Sequence, residues 1–173
     1  MERVVLVNER DIEIGLAEKQ EAHLAGLLHR AFSIVLFNHE GKMLLQRRAL
    51  SKYHGGGLWS NACCSHPRPG EKLEDAVKRR VKEELGMECT ARFLFKTKYN
   101  FDMENGLREH ELDHVFTGTY WEAPNPDPNE IEDLKLVEME ELNDWMNERP
   151  EDFSPWFKHI QQKISLEKVS PMA

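Results

Sequence analysis

The sequence predicts an α/β chain of the α+β kind, folded as one domain, and three observations carry that expectation. Residues 28–37 and 91–101 form β-rich or alternating runs, and the stretch after Gly70 carries an apolar residue at every fourth position. A length of 173 residues with 40% hydrophobic content suits one core and is short for two. The expected domain therefore runs over residues 1–173.

Taken in order, residues 4–7 and the Ile12/Ile14 pair read as two short strands about the polar stretch 8–11. Residues 16–27 are helix-like, with His23 near the apolar edge. Residues 28–37, turned by Asn38, His39, Glu40 and Gly41 into residues 42–48, predict a hairpin with His29 at a strand start. One continuous helix would put His23 and His29 on different faces, so they converge only if the helix ends between them.

Residues 50–59 read as loop, where Gly55, Gly56 and Gly57 let the backbone approach a ligand closely. Leu73, Val77, Val81 and Leu85 form the buried stripe of a helix closed by Gly86, with Arg80 and Glu84 paired one step round from it. In residues 91–101, Phe93, Phe95, Thr97, Tyr99 and Phe101 are expected on one strand face. After a turn at Glu104, Asn105 and Gly106, the return strand puts Glu109, Glu111, Asp113, Val115 and Thr117 on one face. His110, Leu112, His114 and Phe116 take the other, which leaves Glu109 and Glu111 roughly 7 Å apart, within reach of one ion. Residues 124–128 form a stiff loop; residues 134–139 predict a strand, 141–147 a short helix and 155–166 a terminal helix whose start carries Trp156.

No segment approaches the ~20 apolar residues of a membrane span, so a cytoplasmic protein is expected. Three cysteines do not make a disulfide framework and suit a reducing compartment. The net charge of −8 disfavours nucleic acid or an anionic membrane as partner. Its distribution is uneven: residues 47–82 hold nine Lys/Arg against three Asp/Glu, a local +6 that leaves −14 for the rest. A solvated basic face is the plain reading, while overlap with the Cys/His loop favours a small phosphate or diphosphate.

Several residues are candidates for chemistry, each with a structural alternative. His23, His29, His66, Glu109 and Glu111 could offer three nitrogens and two carboxylates to a divalent metal, or be ordinary hydrogen-bonded residues. Cys64, beside His66, is either a reactive thiol or an inert cysteine; for Cys63 and Cys89 the inert reading is preferred. Tyr99 and Trp156 could serve a reaction or simply be core aromatics. Glu83 and Glu84 could hold Mg²⁺ against a diphosphate or form a solvated helix face.

The helix end Glu83–Glu84–Leu85–Gly86, with Arg79 before it and Glu71 eight positions earlier, resembles the Nudix box, a loop–helix–loop that binds metal–diphosphate groups. Ser65 stands where that box begins with Gly, and Arg80 replaces the Glu that follows its Arg. These departures suit the type I isopentenyl-diphosphate isomerase family, which the chain resembles through EKQEAH, LHRAFS, RRALSK, WSNACCSHP, EDAVKRRVKEELG, the REHE strand and FSPW. The alternative is a Nudix diphosphate hydrolase.

The resemblance implies a mixed sheet sandwiched between helices and a 1,3 proton shift on an isoprenyl diphosphate. It implies that His23, His29, His66, Glu109 and Glu111 ligate one divalent ion (Mn, Mg or Zn), and that Glu84 helps hold Mg²⁺ on the substrate diphosphate. Lys19, Arg48, Lys52 and Arg80 would contact that diphosphate. Cys64 and Glu111 would transfer protons, Tyr99 would support Glu111, and Trp156 would face the reacting carbons. A monomer or homodimer is expected, with no partner beyond the small-molecule substrate.

Overall fold

The computed structural model describes residues 1–167. The last six residues of the expected domain lie outside the described residues. The strands are β1 (Arg3–Val7), β2 (Glu13–Glu18), β3 (His29–Phe37), β4 (Met43–Arg48), β5 (Trp59–Asn61), β6 (Cys63–Ser65), β7 (Arg92–Asp102), β8 (Arg108–Thr119) and β9 (Ile131–Val137). The helices are α1 (Lys19–Ala25), α2 (Leu73–Leu85), α3 (Met139–Glu148) and α4 (Pro155–Glu167).

All nine strands join one mixed sheet organised on β3. This strand runs parallel to β8 over its whole length, from His29 opposite Glu111 to Phe37 opposite Thr119. It also meets β1 at His29, β6 at residues 32–34 and β4 at Phe37. Because side chains alternate along a strand, β3 feeds two cores. Phe32, Ile34 and Leu36 pack with Ala76, Val77, Val81 and Leu85 of α2, whereas Val35 and Phe37 pack with Leu142 of α3 and with Phe157, Ile160 and Ile164 of α4. The expected sandwich of a mixed sheet between helices is what forms.

Four local expectations are corrected. The helix expected from residue 16 begins at Lys19, because Leu16 and Ala17 are drawn into the β1–β2 ladder opposite Val5 and Val4. The β3–β4 hairpin is joined only where Phe37 meets Met43; beyond it β4 pairs with β5 and β9, leaving β3 free for β8. A register shift at Leu94 takes Phe93 out of the expected aromatic face, and it packs instead on Phe116. The late strand runs Ile131–Val137 rather than over residues 134–139.

Other expectations hold. The α2 stripe is buried and Gly86 caps it in the left-handed conformation, φ 63°. Helix α1 ends at Gly26, φ 68°, between His23 and His29. That break lets both imidazoles reach the same end of the sheet.

Candidate metal and proton-transfer site

The site is assembled by register. Tyr99 on β7 stands opposite Glu111 on β8, and Glu111 opposite His29 on β3, so three strands bring three functional side chains into one row. From outside the row, α1 contributes His23 and the chain after β6 contributes His66.

His23, His29, His66 and Glu111 each present one donor atom, all within 4.8 Å of one another, and all four residues are buried. His29 Nε2 lies 3.1 Å and His66 Nε2 2.6 Å from Glu111 Oε2. His23 Nε2 is 3.5 Å from Glu109 Oε2. The Nδ1 atoms of His23 and His29 face the carbonyls of Lys19 and Leu27 at 2.6 and 2.8 Å. Nδ1–H donation to a carbonyl fixes the tautomer and turns the Nε2 lone pair inward, the arrangement that metal-ligating histidines use. His23 Nε2 is buried with no hydrogen-bond partner. Pinned rings, an orphaned nitrogen and a buried carboxylate fit a divalent cation: His23, His29, His66 and Glu111 lie in one group, and Glu109 meets it through His23.

The electrostatics agree. Burial pushes the Glu109 carboxyl well up, and repulsion from Glu111 adds to the shift. Burial also opposes ionisation of Glu111, but the hydrogen bonds with His29 and His66 outweigh it and hold that carboxyl well below the usual range. Burial lowers His66 to about 4 despite Glu111, which favours the neutral, ligating imidazole.

Cys64 lies across the same cavity. Burial, reinforced by the Asp113 charge, pushes its thiol up to about 12. The sulfur lies 3.0 Å from Asn61 Oδ1 and 3.3 Å from Ser33 Oγ. Ser33 donates to Asp113 Oδ2 at 2.7 Å, the Tyr99 hydroxyl is 3.1 Å from that oxygen, and it is 2.8 Å from Glu111 Oε1. Cys64 and Glu111 are thus the two ends of one buried hydrogen-bonded chain.

A cavity of about 50 Å³ is lined by all four expected cationic side chains, Lys19, Arg48, Lys52 and Arg80, together with Cys64, His66, Glu84, Glu109, Glu111 and Trp156. Arg48 lies over the Trp156 ring, 4.9 Å from its centroid. Lys19 pairs with Glu2 at 3.3 Å, and Lys52 pairs with Glu130. Arg80 meets Glu84 Oε1 at 2.7 Å and Glu83 Oε2 at 2.6 Å. Glu84 is apart from the histidine cluster, with its second oxygen 3.4 Å from Gln46 Nε2. Arg79 grips Glu71 through two nitrogens, at 2.7 and 2.9 Å, and so braces the loop before α2.

Four participants were missed by sequence reasoning. Asp113 carried a signal, because it shares the strand face of Glu109 and Glu111; Ser33 and Glu130 carried none. His54 sits in the glycine-rich loop outside any motif, yet its Nε2 contacts Glu109, and His23, His54 and Glu109 form a second metal-competent group.

A nine-stranded mixed sheet between helices, with buried His/Glu side chains that could hold a metal beside a cationic cavity, defines a Nudix-fold protein, and residues 27–157 match the NUDIX domain family. The crystal structure of a Deinococcus radiodurans protein superposes with TM-score 0.68 over 84% of this chain and 89% of that one, at 24% identity, a likeness of fold. Within that class the chain belongs to the isopentenyl-diphosphate Delta-isomerase family. It is 47% identical over 163 residues to isopentenyl-diphosphate Delta-isomerase 2 of Aromatoleum aromaticum, covering 94% of this chain and 86% of the relative. It is 46% identical over 165 residues to the isopentenyl-diphosphate Delta-isomerase of Burkholderia multivorans, covering 95% and 94%. Among the described residues no helix is long and apolar enough to cross a membrane.

Proposed function

We propose that this enzyme interconverts isopentenyl diphosphate and dimethylallyl diphosphate by a 1,3 proton shift. The observation that supports the reading is that the Cys64 thiol, the Glu111 carboxylate and Trp156 line one cavity. Protonating an unactivated alkene at its terminal carbon produces a tertiary carbocation, and loss of a proton from the second carbon completes the shift. One positioned group must deliver a proton and another remove one; Cys64 and Glu111 divide these steps. Tyr99 holds Glu111 Oε1 in place.

The indole of Trp156 lies where it can stabilise the cation, a contact worth up to ~2 kcal/mol when desolvated. Lys19, Arg48, Lys52 and Arg80 anchor the diphosphate, and that binding energy holds the small hydrocarbon in register. His23, His29, His66, Glu109 and Glu111 hold a divalent ion, whose charge would stabilise the Glu111 carboxylate and fix its orientation. Three imidazoles and two carboxylates suit Mn, Zn or Mg, and Glu84 is placed to share a Mg²⁺ that arrives with the diphosphate. Against the hydrolase alternative, Arg80 stands in place of the Glu that follows the Arg of the box helix, which removes one carboxylate from that helix.

The test is to incubate the protein with isopentenyl diphosphate in D₂O, with and without chelator. Deuterated dimethylallyl diphosphate, formed without release of phosphate and suppressed by the chelator, is expected. Release of inorganic phosphate without allylic product overturns the reading.

A further inference from the structure

The loop between β4 and β5 is an unusual place for a buried imidazole. It lies outside the strand ladders, and Gly55 and Gly57 take φ of 63° and 80°, a region that side-chain-bearing residues rarely adopt. Nevertheless His54 is 8% exposed and meets Glu109 through Nε2. Its ring centroid lies 5.6 Å from that of His23 and 5.7 Å from that of Trp156. His23 belongs both to the His29/His66/Glu111 group and to the His54/Glu109 group, so the two groups share a donor.

His54 differs from His23 and His29 in how it is held. Their rings are fixed through Nδ1 to backbone carbonyls, whereas His54 Nδ1 is buried with no partner. The loop backbone is held on either side of the ring, by Arg48 Nη2 to the His54 carbonyl at 3.0 Å, the Gly57 amide to the Arg48 carbonyl at 2.9 Å and the Gly55 amide to Glu104 at 3.3 Å, but the imidazole itself has no such pin. The space around His54 is also short. The cavity holds about 50 Å³, far below the roughly 300–1,000 Å³ usual for small-molecule sites. A five-carbon diphosphate enters only if something leaves, and of the donors whose Nδ1 has no partner, His54 is the one on the glycine loop and stands against Trp156.

We infer that His54 is a fourth imidazole donor to the metal centre in the substrate-free enzyme, carried by a glycine loop, and that it withdraws as substrate enters. The inference rests on the metal centre proposed above. The loop histidine guards the ion and Trp156 between turnovers, and the diphosphate draws the loop away by competing for Arg48.

The experiment loads the full-length protein with Co²⁺ alone and measures affinity by competition with a chromophoric chelator, along with visible absorption and hyperfine-shifted imidazole N–H resonances. For His54→Ala the expected result is affinity weakened ~10-fold to 100-fold, a more intense visible band from the lower coordination number, and three shifted N–H resonances against four in the wild type. Adding isopentenyl diphosphate should convert the wild-type spectrum to that of the variant. His29→Ala separates the two levels of the argument. If His29→Ala loses Co²⁺ while His54→Ala keeps wild-type affinity, spectrum and resonance count, this inference alone is overturned. If both keep wild-type affinity, the metal centre itself is wrong. His54→Gln and the thermal midpoints guard against a folding artefact, and the four-resonance result in the wild type needs no variant.

Discussion

Tyr99 and Glu111 face one another in the β7–β8 ladder, and the hydroxyl meets Glu111 Oε1 at 2.8 Å. Glu111 Oε2 faces His29 and His66, so Tyr99 is the partner of the oxygen that points away from the imidazoles. A hydrogen bond to a charged group is worth about 1.5–3 kcal/mol. Tyr99→Phe should therefore lower kcat by roughly 10-fold to 100-fold with KM nearly unchanged, as steady-state assay of dimethylallyl diphosphate formation would show.

Removing either end of the buried chain should stop turnover. Cys64→Ala and Glu111→Gln are expected to cost roughly 10²–10⁴-fold or more in kcat, the span general acid–base groups supply. Circular dichroism should remain native for both, because the Cys64 sulfur bonds only Ser33 and Asn61 among the described residues and Gln keeps the shape of Glu111 and an oxygen for Tyr99. Wild-type rates in either variant would remove it from the proton-transfer pair.

Arg48 should act through binding. A contact between Arg48 and the diphosphate would be present in ground and transition states alike, so Arg48→Ala should raise KM at least tenfold and change kcat much less. An unchanged KM would show that the diphosphate lies elsewhere.

Chelation should inactivate the enzyme reversibly and lower its thermal midpoint. An ion at 100 times its Kd stabilises the folded state by about 2.7 kcal/mol. Calorimetry with and without chelator, followed by readdition of Mn²⁺, Mg²⁺ or Zn²⁺ in separate samples, measures the shift and ranks the ions.

Away from the site, Asp11 should shape the acid limb of stability. Burial alone would raise its pKa, yet hydrogen bonds from Arg30, Lys96 and His114 prevail and lower it below 3.8. A lowered carboxyl contributes stability that is fully present above the unfolded pKa and is lost as pH falls through the folded one. Asp11→Asn keeps a side chain that tolerates φ 61°. The variant should be less stable than wild type at neutral pH, with the gap closing as the pH falls below 3.8 and through the lowered folded-state pKa; a gap independent of pH would assign the effect to packing.

What was legible in the sequence was local. The four-residue stripe of α2, its glycine cap and the strand face shared by Glu109, Glu111 and Asp113 follow from periodicity, and the structure keeps all three. What was illegible depended on distant partners. The β3–β4 hairpin opens because β8, some eighty residues away, takes the length of β3, and Phe93 changes sides because of a register shift at Leu94. His54 was invisible for the opposite reason: a glycine loop has no period to read, and its position emerges only from the folded chain. Spacing alone left the histidines and carboxylates scattered; only the folded chain gathers His23, His29, His66 and Glu111 within 4.8 Å of one another.

The row that joins Tyr99, Glu111 and His29 gives the centre a reading frame. Strand side chains alternate, so one residue added to β8 between Arg108 and Glu111 would turn part of the carboxylate set toward the opposite face while leaving composition almost untouched. The Glu104–Gly106 turn lies outside that frame and can change length without shifting the register of Tyr99, Glu111 and His29. Tolerance to insertion should therefore fall abruptly at the strand boundary, and drift or engineering can lengthen the enzyme at its rims but not along its central strands.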